Sequence, residues 1–495
     1  MYMRVRTANL KRRSTLPLPP GPRGLPIIGN LLDMPTHYQW KTFARWSEEY
    51  GDLISVKVLG QTYILLNSLE HVIELFERRG AIYSDRPTLT VCGEIAGWGR
   101  TTIMSHYDDR LRNLRRLFTP LFGTRKNVEQ FVPVLEEQSH RFLLRLKNNP
   151  DDLEAQVRKS AGALILAISH GYCIREENDH LITISRRAND DFAALTVPGA
   201  FAADFLPILK HVPAWFPGAG WKRFAQNAHR NVDAMHDAPH KFVKQQMAAG
   251  TATPSFASLH LSDCLTPDEE ALVKDAAGSI YGAGSDTTVS AICSFFLAMT
   301  CYPEIQRKAQ LEIDTVIGTD SLPNYSDRER LPYVNALLLE VVRWNPVVPL
   351  GGYRCLTQND VYGGYAFPKG AYIIPNVWKY LHDPEAYTDP FQFNPGRFLP
   401  SGDKKPEKDP RTMAFGFGRR ACPGMKFADA SIFMTIARSL AAFEISKKVE
   451  NGQVLQPAQE YTSGIVSHPK LFPLSVKPRS AKMEALINTV HSDQP

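Results

Sequence analysis

The sequence predicts a mainly α-helical protein with a small β-rich part, and three observations support this prediction. A helix signal begins at Thr266, and no proline follows until Pro303. A second apolar run with helical spacing, LPYVNALLLEVVRWNP, covers residues 331–346. Residues 360–375, DVYGGYAFPKGAYIIP, alternate and turn like short strands. We therefore expect one mostly helical unit with a long helix that crosses the molecule.

The composition is that of an ordinary folded protein. The chain has 495 residues, 43% hydrophobic and 22% charged, with a net charge of +6. This charge is mild for the length, and no nucleic-acid-binding motif is present, so we expect no nucleic-acid partner. The seven cysteines are scattered and form no C-x-x-C pair, which argues against a disulfide framework or a structural zinc site.

The N-terminal segment is basic and then rich in proline. MYMRVRTANLKRR is followed by LPLPPGPRGLPIIGN, a stiff stretch that cannot form a helix. No run of about 18 apolar residues is present to span a bilayer. We expect residues 1–30 to be a segment that lacks a membrane anchor, and residues 31–495 to form a single catalytic domain.

The long helix has a well-defined start and an unusual centre. Thr266, Pro267 and Glu269 match an N-cap, a proline in the first turn and a capping-box partner. The helix that follows would be about 50 Å long at 1.5 Å per residue. Its centre at residues 278–290, GSIYGAGSDTTVS, is rich in glycine and β-branched residues, which are poor helix formers. The pattern predicts a narrow point in a core helix.

The second helix carries a charged pair in an apolar setting. Glu340 and Arg343 stand three residues apart and share a helix face. An exposed surface pair is the alternative interpretation, but the neighbours LLLEVVRW are apolar on nearly all sides. A buried pair needs further partners to offset its desolvation.

One short segment, AFGFGRRACPG at residues 414–424, places a cysteine among glycines and arginines. A thiolate binds soft or borderline metals, and nearby positive charge and backbone N–H groups stabilise it. A small buried apolar residue is the alternative for any single cysteine. The spacing F-x-x-G-x-R-x-C-x-G resembles the haem-binding loop of the cytochrome P-450 family of haem-thiolate monooxygenases.

Other motifs extend this resemblance over nearly the whole chain in the right order. LPPGPRGLPIIGN is similar to the proline hinge that follows a membrane anchor, and AGSDTT at residues 283–288 is similar to the oxygen-binding centre of the long helix distal to the haem. Glu340 and Arg343 match the E-x-x-R pair of the family, and FNPGRF supplies Arg397. The resemblance implies that these three residues form a buried structural triad, and that the fold is that of a cytochrome P-450 with its long helix over the haem.

The resemblance also implies the roles of individual residues. Cys422 would be the axial iron ligand of haem b, through its thiolate. The implied cofactor-binding residues are Cys422, Arg420, Phe415, Gly418, Gly424, Arg115, Arg354, Ala283 and Gly284. The arginines would bind haem propionates, while Ala283 and Gly284 would make room for dioxygen. Thr287 and Asp286 would be catalytic and relay protons; a threonine that merely bonds back to its own helix is the alternative for Thr287.

Two positions depart from the family pattern. Members usually carry a tryptophan four residues before Arg115, where this chain has Leu111, so one propionate donor is missing and Arg115 should carry more of the binding. Gly396 stands where glutamate is common between the proline and Arg397. That position is expected to face outward, with little effect.

Partners follow from charge and from an apolar segment. Basic residues expected around the cysteine side of the haem are Arg110, Arg112, Arg115, Arg116, Arg125, Lys126, Arg419 and Lys426. They would steer an acidic electron donor, which the family implies is a flavoprotein reductase that uses NADPH; a merely solvated basic face is the alternative. The stretch from Thr196 resembles a pocket roof that touches a membrane, and its large apolar residues are Phe201, Phe205, Trp215, Phe216 and Trp221.

The function implied is that of a fungal cytochrome P-450 of specialised metabolism. It would insert one oxygen atom from O2 into a hydrophobic substrate, a terpenoid or related natural product. A monomer is expected at the cytoplasmic face of the endoplasmic reticulum, with the cytosol as the alternative. Two other functions stay open: a haem-thiolate isomerase or reductase that needs no oxygen activation, and a haem-binding protein without turnover.

Overall fold

The computed structural model describes residues 16–197, 199–261 and 265–489. Its α-helices, in chain order, are α1 (Gln39–Tyr50), α2 (Leu69–Val72), α3 (Asp109–Phe122), α4 (Arg125–Glu129), α5 (Val132–Asn148), α6 (Leu153–His170), α7 (His180–Leu195), α8 (Ala202–Phe205), α9 (Gly220–Ala248), α10 (Phe256–His260), α11 (Pro267–Cys301), α12 (Pro303–Val316), α13 (Pro332–Trp344), α14 (Val377–Leu381), α15 (Arg411–Ala414), α16 (Met425–Ala442) and α17 (Ala481–Ile487). Its strands are β1 (Leu53–Val58), β2 (Gln61–Leu66), β3 (Arg354–Cys355), β4 (Asp360–Tyr362), β5 (Tyr365–Phe367), β6 (Tyr372–Pro375), β7 (Phe443–Ser446), β8 (Val449–Glu450), β9 (Gln453–Val454) and β10 (Ser475–Pro478). Shorter helical turns of π or 3-10 type occupy Ile73–Arg78, Thr90–Ile95, Trp98–Arg100, Pro207–His211, Tyr325–Arg330, Pro395–Phe398 and Gly418–Arg420. The predicted class, mainly helical with a small β part, is confirmed.

The long helix α11 begins where its sequence predicts. The Thr266 hydroxyl accepts a hydrogen bond from the Glu269 backbone N–H, and the Glu269 carboxylate accepts one from the Thr266 backbone N–H at 2.9 Å. The helix runs for 35 residues and ends just before Pro303. Among the described residues no single helix has the length and apolarity of a membrane span, and α11 and α12 meet that test only as a pair bent by 106°.

The glycines in the centre of α11 are explained by the helices packed against it. A Cβ added at Gly278 would lie 2.5 Å from the imidazole of His236 on α9, and one at Gly284 would lie 2.4 Å from Ile165 on α6. α11 remains an α-helix throughout this region. The narrow point therefore admits side chains from α6 and α9, because only a residue without a Cβ lets them approach so closely.

We expect a Gly278→Ala substitution to destabilise the protein. Alanine favours a helix by about 1 kcal/mol over glycine, but the methyl group would meet the fully buried His236 ring, and overpacking of this kind costs about 1–3 kcal/mol. Urea denaturation followed by circular dichroism measures the difference.

The control for this experiment is Gly93→Ala, since a Cβ there meets nothing within 4 Å. Equal or greater stability of the Gly278→Ala protein would show that the His236 contact does not limit this position.

Within the described residues, the β-rich part forms one four-stranded sheet and three two-stranded sheets. In the four-stranded sheet β1 and β2 form an antiparallel hairpin, β6 runs parallel to β2, and β3 closes the far edge. The strands β4 to β6 lie within the segment predicted to form them. The hairpin of β1 and β2 was not predicted.

The proline-rich segment lies along this sheet. The Pro20 carbonyl accepts a hydrogen bond from Ser55 N–H at 2.9 Å, and the Pro17 carbonyl accepts one from Ala366 N–H at 2.8 Å. Residues 1–15 of the predicted N-terminal segment lie outside the described residues. The domain boundary at residue 30 stays a prediction.

Candidate active site

The cysteine loop joins the 3-10 turn Gly418–Arg420 to the start of α16. Gly418 adopts φ 51°, and a Cβ there would lie 2.2 Å from the Phe76 carbonyl oxygen, so the loop packs directly on the π-helical turn Ile73–Arg78. The Cys422 backbone N–H donates to the Phe415 carbonyl at 2.8 Å, which closes the loop. This geometry requires glycine at position 418 and holds the cysteine at a fixed place.

The Cys422 side chain is accessible, yet it lies deep in the fold. Burial raises the pKa of its thiol, while the backbone N–H of Gly424 and the charge of Arg115 lower it. The residue is exposed by surface area, although burial has the largest effect on its pKa. Ala283, in the middle of the core helix α11, is also exposed. Both residues are therefore accessible although the elements that carry them pack in the core of the protein.

Four arginines lie near one another beside this loop, and none has a carboxylate partner within 4.0 Å among the described residues. Three of them were predicted from the sequence: Arg115, Arg354 and Arg420. The fourth, Arg86, was missed, because nothing in its local sequence distinguishes it. The set is assembled by contacts between segments that are far apart in the chain.

Most contacts of these arginines are to backbone carbonyls. Arg420 donates to Ser105 at 2.6 Å, and Arg115 to Ala421 at 3.0 Å. Arg354 donates to the Phe417 carbonyl at 3.0 Å and its guanidinium lies 4.6 Å from the centre of the Phe76 ring, but its Nε and Nη1 are buried without a hydrogen-bond partner.

Arg86 is fixed by the backbone around Arg354. Its Nη1 donates to the Tyr353 carbonyl at 2.5 Å, and its Nε to the Ile103 carbonyl at 2.9 Å. A Cβ on Gly352 would lie 2.4 Å from its Nη2. The guanidinium of Arg86 therefore lies directly against the turn that leads into β3.

The arginines destabilise one another's charge. Burial and the charge of Arg420 lower the pKa of Arg86 to about 9, and burial lowers the pKa of Arg420 to about 10. Burial and the neighbouring charges also lower the pKa of Arg354. Clustered cations with orphaned donors fit a ligand that carries carboxylates.

Leu111 lies in the first turn of α3, at the position where a propionate donor was expected to be missing. Its side chain is buried, and its backbone N–H donates to the Asp108 cap of α3 at 2.9 Å. The Leu111 side chain cannot donate a hydrogen bond. The Arg86 guanidinium, which the sequence analysis did not identify, can donate hydrogen bonds beside the cysteine loop.

Thr287 and Asp286, the two residues of α11 that were predicted to be catalytic, are not hydrogen-bonded to each other. The Thr287 hydroxyl donates to the Ala283 carbonyl at 2.9 Å, which is a bond back to its own helix. Asp286 binds Arg158 at 2.6 Å and His468 at 3.3 Å. Burial would raise the pKa of Asp286, but His468 and Arg158 outweigh it and the pKa lies below its ordinary value. The carboxylate is thus ionised and held away from Thr287.

The predicted buried triad is formed. The Glu340 carboxylate contacts Arg343 at 2.7 Å and Arg397 at 3.2 Å, and all three side chains are almost fully buried. Asn394 N–H also donates to Glu340 at 2.7 Å. Glu407, which sequence reasoning missed, pairs with Arg397 at 2.7 Å. Two carboxylates therefore balance two guanidiniums, and the triad fixes the segment that leads to the cysteine loop.

Gly396, in the same segment, is partly exposed. Its N–H donates to the Asn394 side chain at 2.9 Å. A Cβ added here would lie 3.0 Å from the Asn394 side chain, which would have to shift slightly.

Two of the predicted basic residues belong to the cysteine loop or to the helix that follows it. Arg419 donates to the Tyr107 hydroxyl at 2.8 Å, and Lys426 donates to the Gly123 carbonyl at the end of α3 at 2.5 Å. Arg110 faces inward instead and pairs with Asp275 of α11 at 2.8 Å. Arg115 is half-buried, and the remaining predicted positions are exposed: Arg112, Arg116, Arg125, Lys126, Arg419 and Lys426.

The predicted roof divides into an inner and an outer set. Phe201, Phe205 and Trp221 are half-buried, while Trp215 and Phe216 are 78% and 50% exposed. The roof therefore presents apolar surface both to the molecule and to its surroundings.

Comparisons with known proteins agree with this geometry. The family model described as Cytochrome P450 matches residues 19–476. Cytochrome P450 monooxygenase 208 of Postia placenta is 52% identical, covering 96% of this chain and 93% of that protein. Cytochrome P450 monooxygenase claR of Ampulloclitocybe clavipes is 46% identical, covering 96% and 89%. O-methylsterigmatocystin oxidoreductase of Aspergillus flavus is 38% identical, covering 97% and 91%.

These matches extend over almost the whole length of both this chain and its relatives. They confirm the fold class and the enzyme class that the motifs predicted, and the relatives named are fungal. The chain belongs to the cytochrome P450 family and is a monooxygenase of that family.

Proposed function

We propose that this cytochrome P450 inserts one oxygen atom of O2 into a hydrophobic small molecule, a terpenoid or related fungal natural product, with NADPH-derived electrons delivered by a flavoprotein reductase. One observation carries the proposal: Cys422 is accessible beside a cluster of arginines that lack carboxylate partners among the described residues, and Arg354 in that cluster has two buried donors without a hydrogen-bond partner. A haem provides both the metal for the thiolate and the carboxylates for the arginines.

The residues present fit haem b. Cys422 would bind the iron through its sulfur, with the Gly424 N–H stabilising the thiolate. Arg86, Arg354 and Arg420 would bind the propionates, and the orphaned Nε and Nη1 of Arg354 would then gain acceptors. When bound, the haem supplies the centre at which dioxygen is activated by two electrons.

The chain's own residues would position the substrate and supply protons. Ala283 opens onto the cleft and leaves room there, while the Thr287 hydroxyl lies one helical turn further along the same face. For Thr287 to hold a proton at Oγ1 toward the cleft, it must release the Ala283 carbonyl. Asp286 would supply protons to this region through its carboxylate.

The substrate class rests on the apolar roof. Phe201, Phe205 and Trp221 are half-buried and suit a lipophilic molecule. The printed name of one relative records O-methylsterigmatocystin as its substrate, which supports a small-molecule substrate for this chain.

The outer roof supports peripheral contact with a membrane, at the cytoplasmic face of the endoplasmic reticulum. Trp215 and Ile208 are 78% and 72% exposed, and Leu206 and Phe216 accompany them on the same segment. Large apolar side chains at a protein surface favour the interfacial region of a bilayer. The exposed basic residues Arg419 and Lys426 support docking of an acidic reductase to a monomer.

One observation favours the rival activity, a rearrangement or reduction that needs no oxygen activation. Thr287 bonds to its own helix and Asp286 faces Arg158 and His468, so no proton path to the cleft is preformed. The two activities differ in whether product formation depends on the Thr287 hydroxyl.

A Thr287→Ala substitution is therefore expected to uncouple the enzyme. Haem content and substrate affinity should be unchanged, while product formed per NADPH falls about tenfold or more and hydrogen peroxide rises. Loss of a group that positions protons commonly costs about 10²–10⁴ in rate. The measurement compares NADPH consumption, peroxide and product with added reductase.

The matched control is Thr315→Ala. The Thr315 hydroxyl donates to the Leu311 carbonyl of its own helix, α12, at 2.7 Å, and it is exposed. Full product yield and coupling in the Thr287→Ala enzyme would contradict oxygen activation through this residue and favour the rival activity. If the wild-type enzyme formed no product with any terpenoid tested, the function that remains would be that of a haem-binding protein without turnover.

A further inference from the structure

Three histidines lie where α6, α9 and α11 pack together. His170 is the last residue of α6, and His236 and His240 are one turn apart on α9. Their exposed fractions are 2%, 0% and 7%. The His236 ring occupies the space beside Gly278 of α11, and the His170 ring packs edge to face on Tyr281, one turn further along α11, with ring centres 6.2 Å apart. The three rings therefore form one buried cluster between three helices.

Two of these rings donate a hydrogen bond to a carboxylate of α11. Nδ1 of His236 lies 3.1 Å from Oδ1 of Asp275, and Nε2 of His240 lies 3.0 Å from Oε1 of Glu270. Because an ionised carboxylate can only accept, these ring nitrogens carry the proton. The other nitrogen of each neutral ring is therefore unprotonated.

The third ring, that of His170, is fixed in the same way by a hydroxyl group. Nδ1 lies 2.7 Å from Oγ of Ser169, and that hydroxyl donates its only proton to the Ile165 carbonyl at 2.7 Å. Nδ1 is therefore the donor. The remaining nitrogens, Nε2 of His170, Nε2 of His236 and Nδ1 of His240, are buried without a hydrogen-bond partner among the described residues. A proton added to any of them would have no acceptor there.

The carboxylates beside the cluster are already paired with cations. Asp275 accepts from Arg110 at 2.8 Å, and Glu270 accepts from Lys244 at 2.8 Å. A positive charge on His236 or His240 would have to share a counter-charge that another cation uses. His170 bonds to a neutral hydroxyl instead. The cluster thus lacks the free negative charge that would stabilise an imidazolium.

Burial keeps the cluster neutral. It lowers the pKa of His170 to about 3, and the charges of His240 and His236 act in the same direction. It also lowers the pKa of His236, although Asp275 opposes it. Most carboxylates around the cluster are paired with a cation, so they do not reverse this effect. The charged or titratable groups on the surrounding elements are Asp275, Glu270, Lys274 and Tyr281 on α11, Asp233, Asp237 and Lys244 on α9, Arg100 and Arg110 in the segment 98–110, Tyr172 and Asp179 between α6 and α7, and His260 on α10.

We propose that His170, His236 and His240 form an acid-sensitive junction that holds α9 against α6 and α11 only while all three rings are neutral. An imidazolium needs an acceptor or water at its second nitrogen, and water reaches these nitrogens only if α9 moves away from Gly278 and Tyr281. α9 follows the apolar roof directly in the chain, so loosening α9 would also loosen the roof. The junction acts through packing, whatever reaction the enzyme catalyses.

The direction of the pH effect follows from the proton balance. Histidines in an opened segment bind a proton near the ordinary pKa of 6.5, whereas the pKa of His170 in the closed junction is about 3. Between these two values the open state binds more protons, so acid favours opening, and the junction is fully stable only above about pH 6.5. Each histidine held neutral in this way raises the opening equilibrium constant about tenfold per pH unit.

The test is the triple variant His170→Asn, His236→Asn and His240→Gln. Asparagine places an amide donor near the position of Nδ1, and glutamine places one near that of Nε2, so the hydrogen bonds described above can remain while the titratable rings are lost. Amide hydrogen exchange of the haem-loaded proteins, corrected for the pH dependence of the intrinsic rate, measures the opening of α9. From pH 6 to pH 5 opening should increase about tenfold or more in the wild type and less than about threefold in the variant.

Two controls keep the result specific to the junction. His180→Asn, at the exposed start of α7, should respond to acid as the wild type does. Helix α13 contains no histidine and should stay closed over the same pH range in every protein. An equal acid response of α9 in the wild type and the triple variant overturns the proposal, and so does a wild-type α9 that does not respond to acid.

A second measurement needs no variant and replaces the first if the triple variant does not fold. Nitrogen-15 NMR of wild-type protein labelled at histidine reports the protonation of each ring. The His170 and His236 rings should remain neutral while α9 is closed, and their protonation should coincide with faster exchange in α9. Protonation of either ring while α9 stays closed overturns the proposal.

Discussion

The Cys422→Ser protein is expected to lose the long-wavelength Soret band that the reduced wild-type protein shows with carbon monoxide. That band is peculiar to haem bound by a thiolate, and a serine hydroxyl is not ionised near neutral pH. Product formation should fall below detection, because the thiolate's electron donation favours cleavage of the O–O bond. Absorption spectra of the purified, reduced proteins with carbon monoxide measure the change.

A cysteine outside the loop is the control for this result. Cys301 is half-buried at the end of α11, and Cys301→Ser should retain both the band and the activity. A folded, pigmented wild-type protein whose carbon monoxide band stays at the shorter wavelength would contradict the assignment of Cys422, whatever the variant does.

The second large effect is expected at Glu340. A Glu340→Gln substitution removes the carboxylate that two guanidiniums share and leaves them without their common counter-charge. Breaking a fully buried ion pair by removing one partner costs about 3–5 kcal/mol. We expect a loss of stability of this size, with haem released early in a urea titration because the triad holds the segment before the cysteine loop.

An exposed ion pair provides the comparison. Asp320 pairs with Lys482 at 2.9 Å, and their side chains are 61% and 75% exposed. Asp320→Asn should change the free energy of unfolding by less than about 1 kcal/mol. Similar losses in the two variants would mean that the buried triad does not stabilise the fold more than a surface pair does.

Much of the fold could be predicted because its signals are local. The capping box at Thr266 and Glu269 needs only four residues, and the helix start it predicts is the one found. The hairpin of β1 and β2 was missed, because its two-residue turn is Leu59–Gly60, both at positive φ, and leucine is not a residue typical of the first position of such a turn. Its β2 strand is fixed instead by pairing with β6, about 300 residues away in sequence.

The candidate site was predicted in part. Arg354 and Arg420 were identified through their motifs, whereas Arg86 was recognised only from its packing against Gly352. Arg110, which the sequence placed on the basic face, turns inward because Asp275 offers a buried counter-charge.

By itself the sequence determined the mainly helical class, the capped long helix, the E-x-x-R pair and the cysteine loop, since each depends on residues that are close together in the sequence. Only the tertiary structure decided that Asp286 faces Arg158 and His468, and that the glycines of α11 admit His236 and Ile165. The physical reason is that a side chain's partners depend on how distant elements are packed together, and burial selects those partners after the chain has folded.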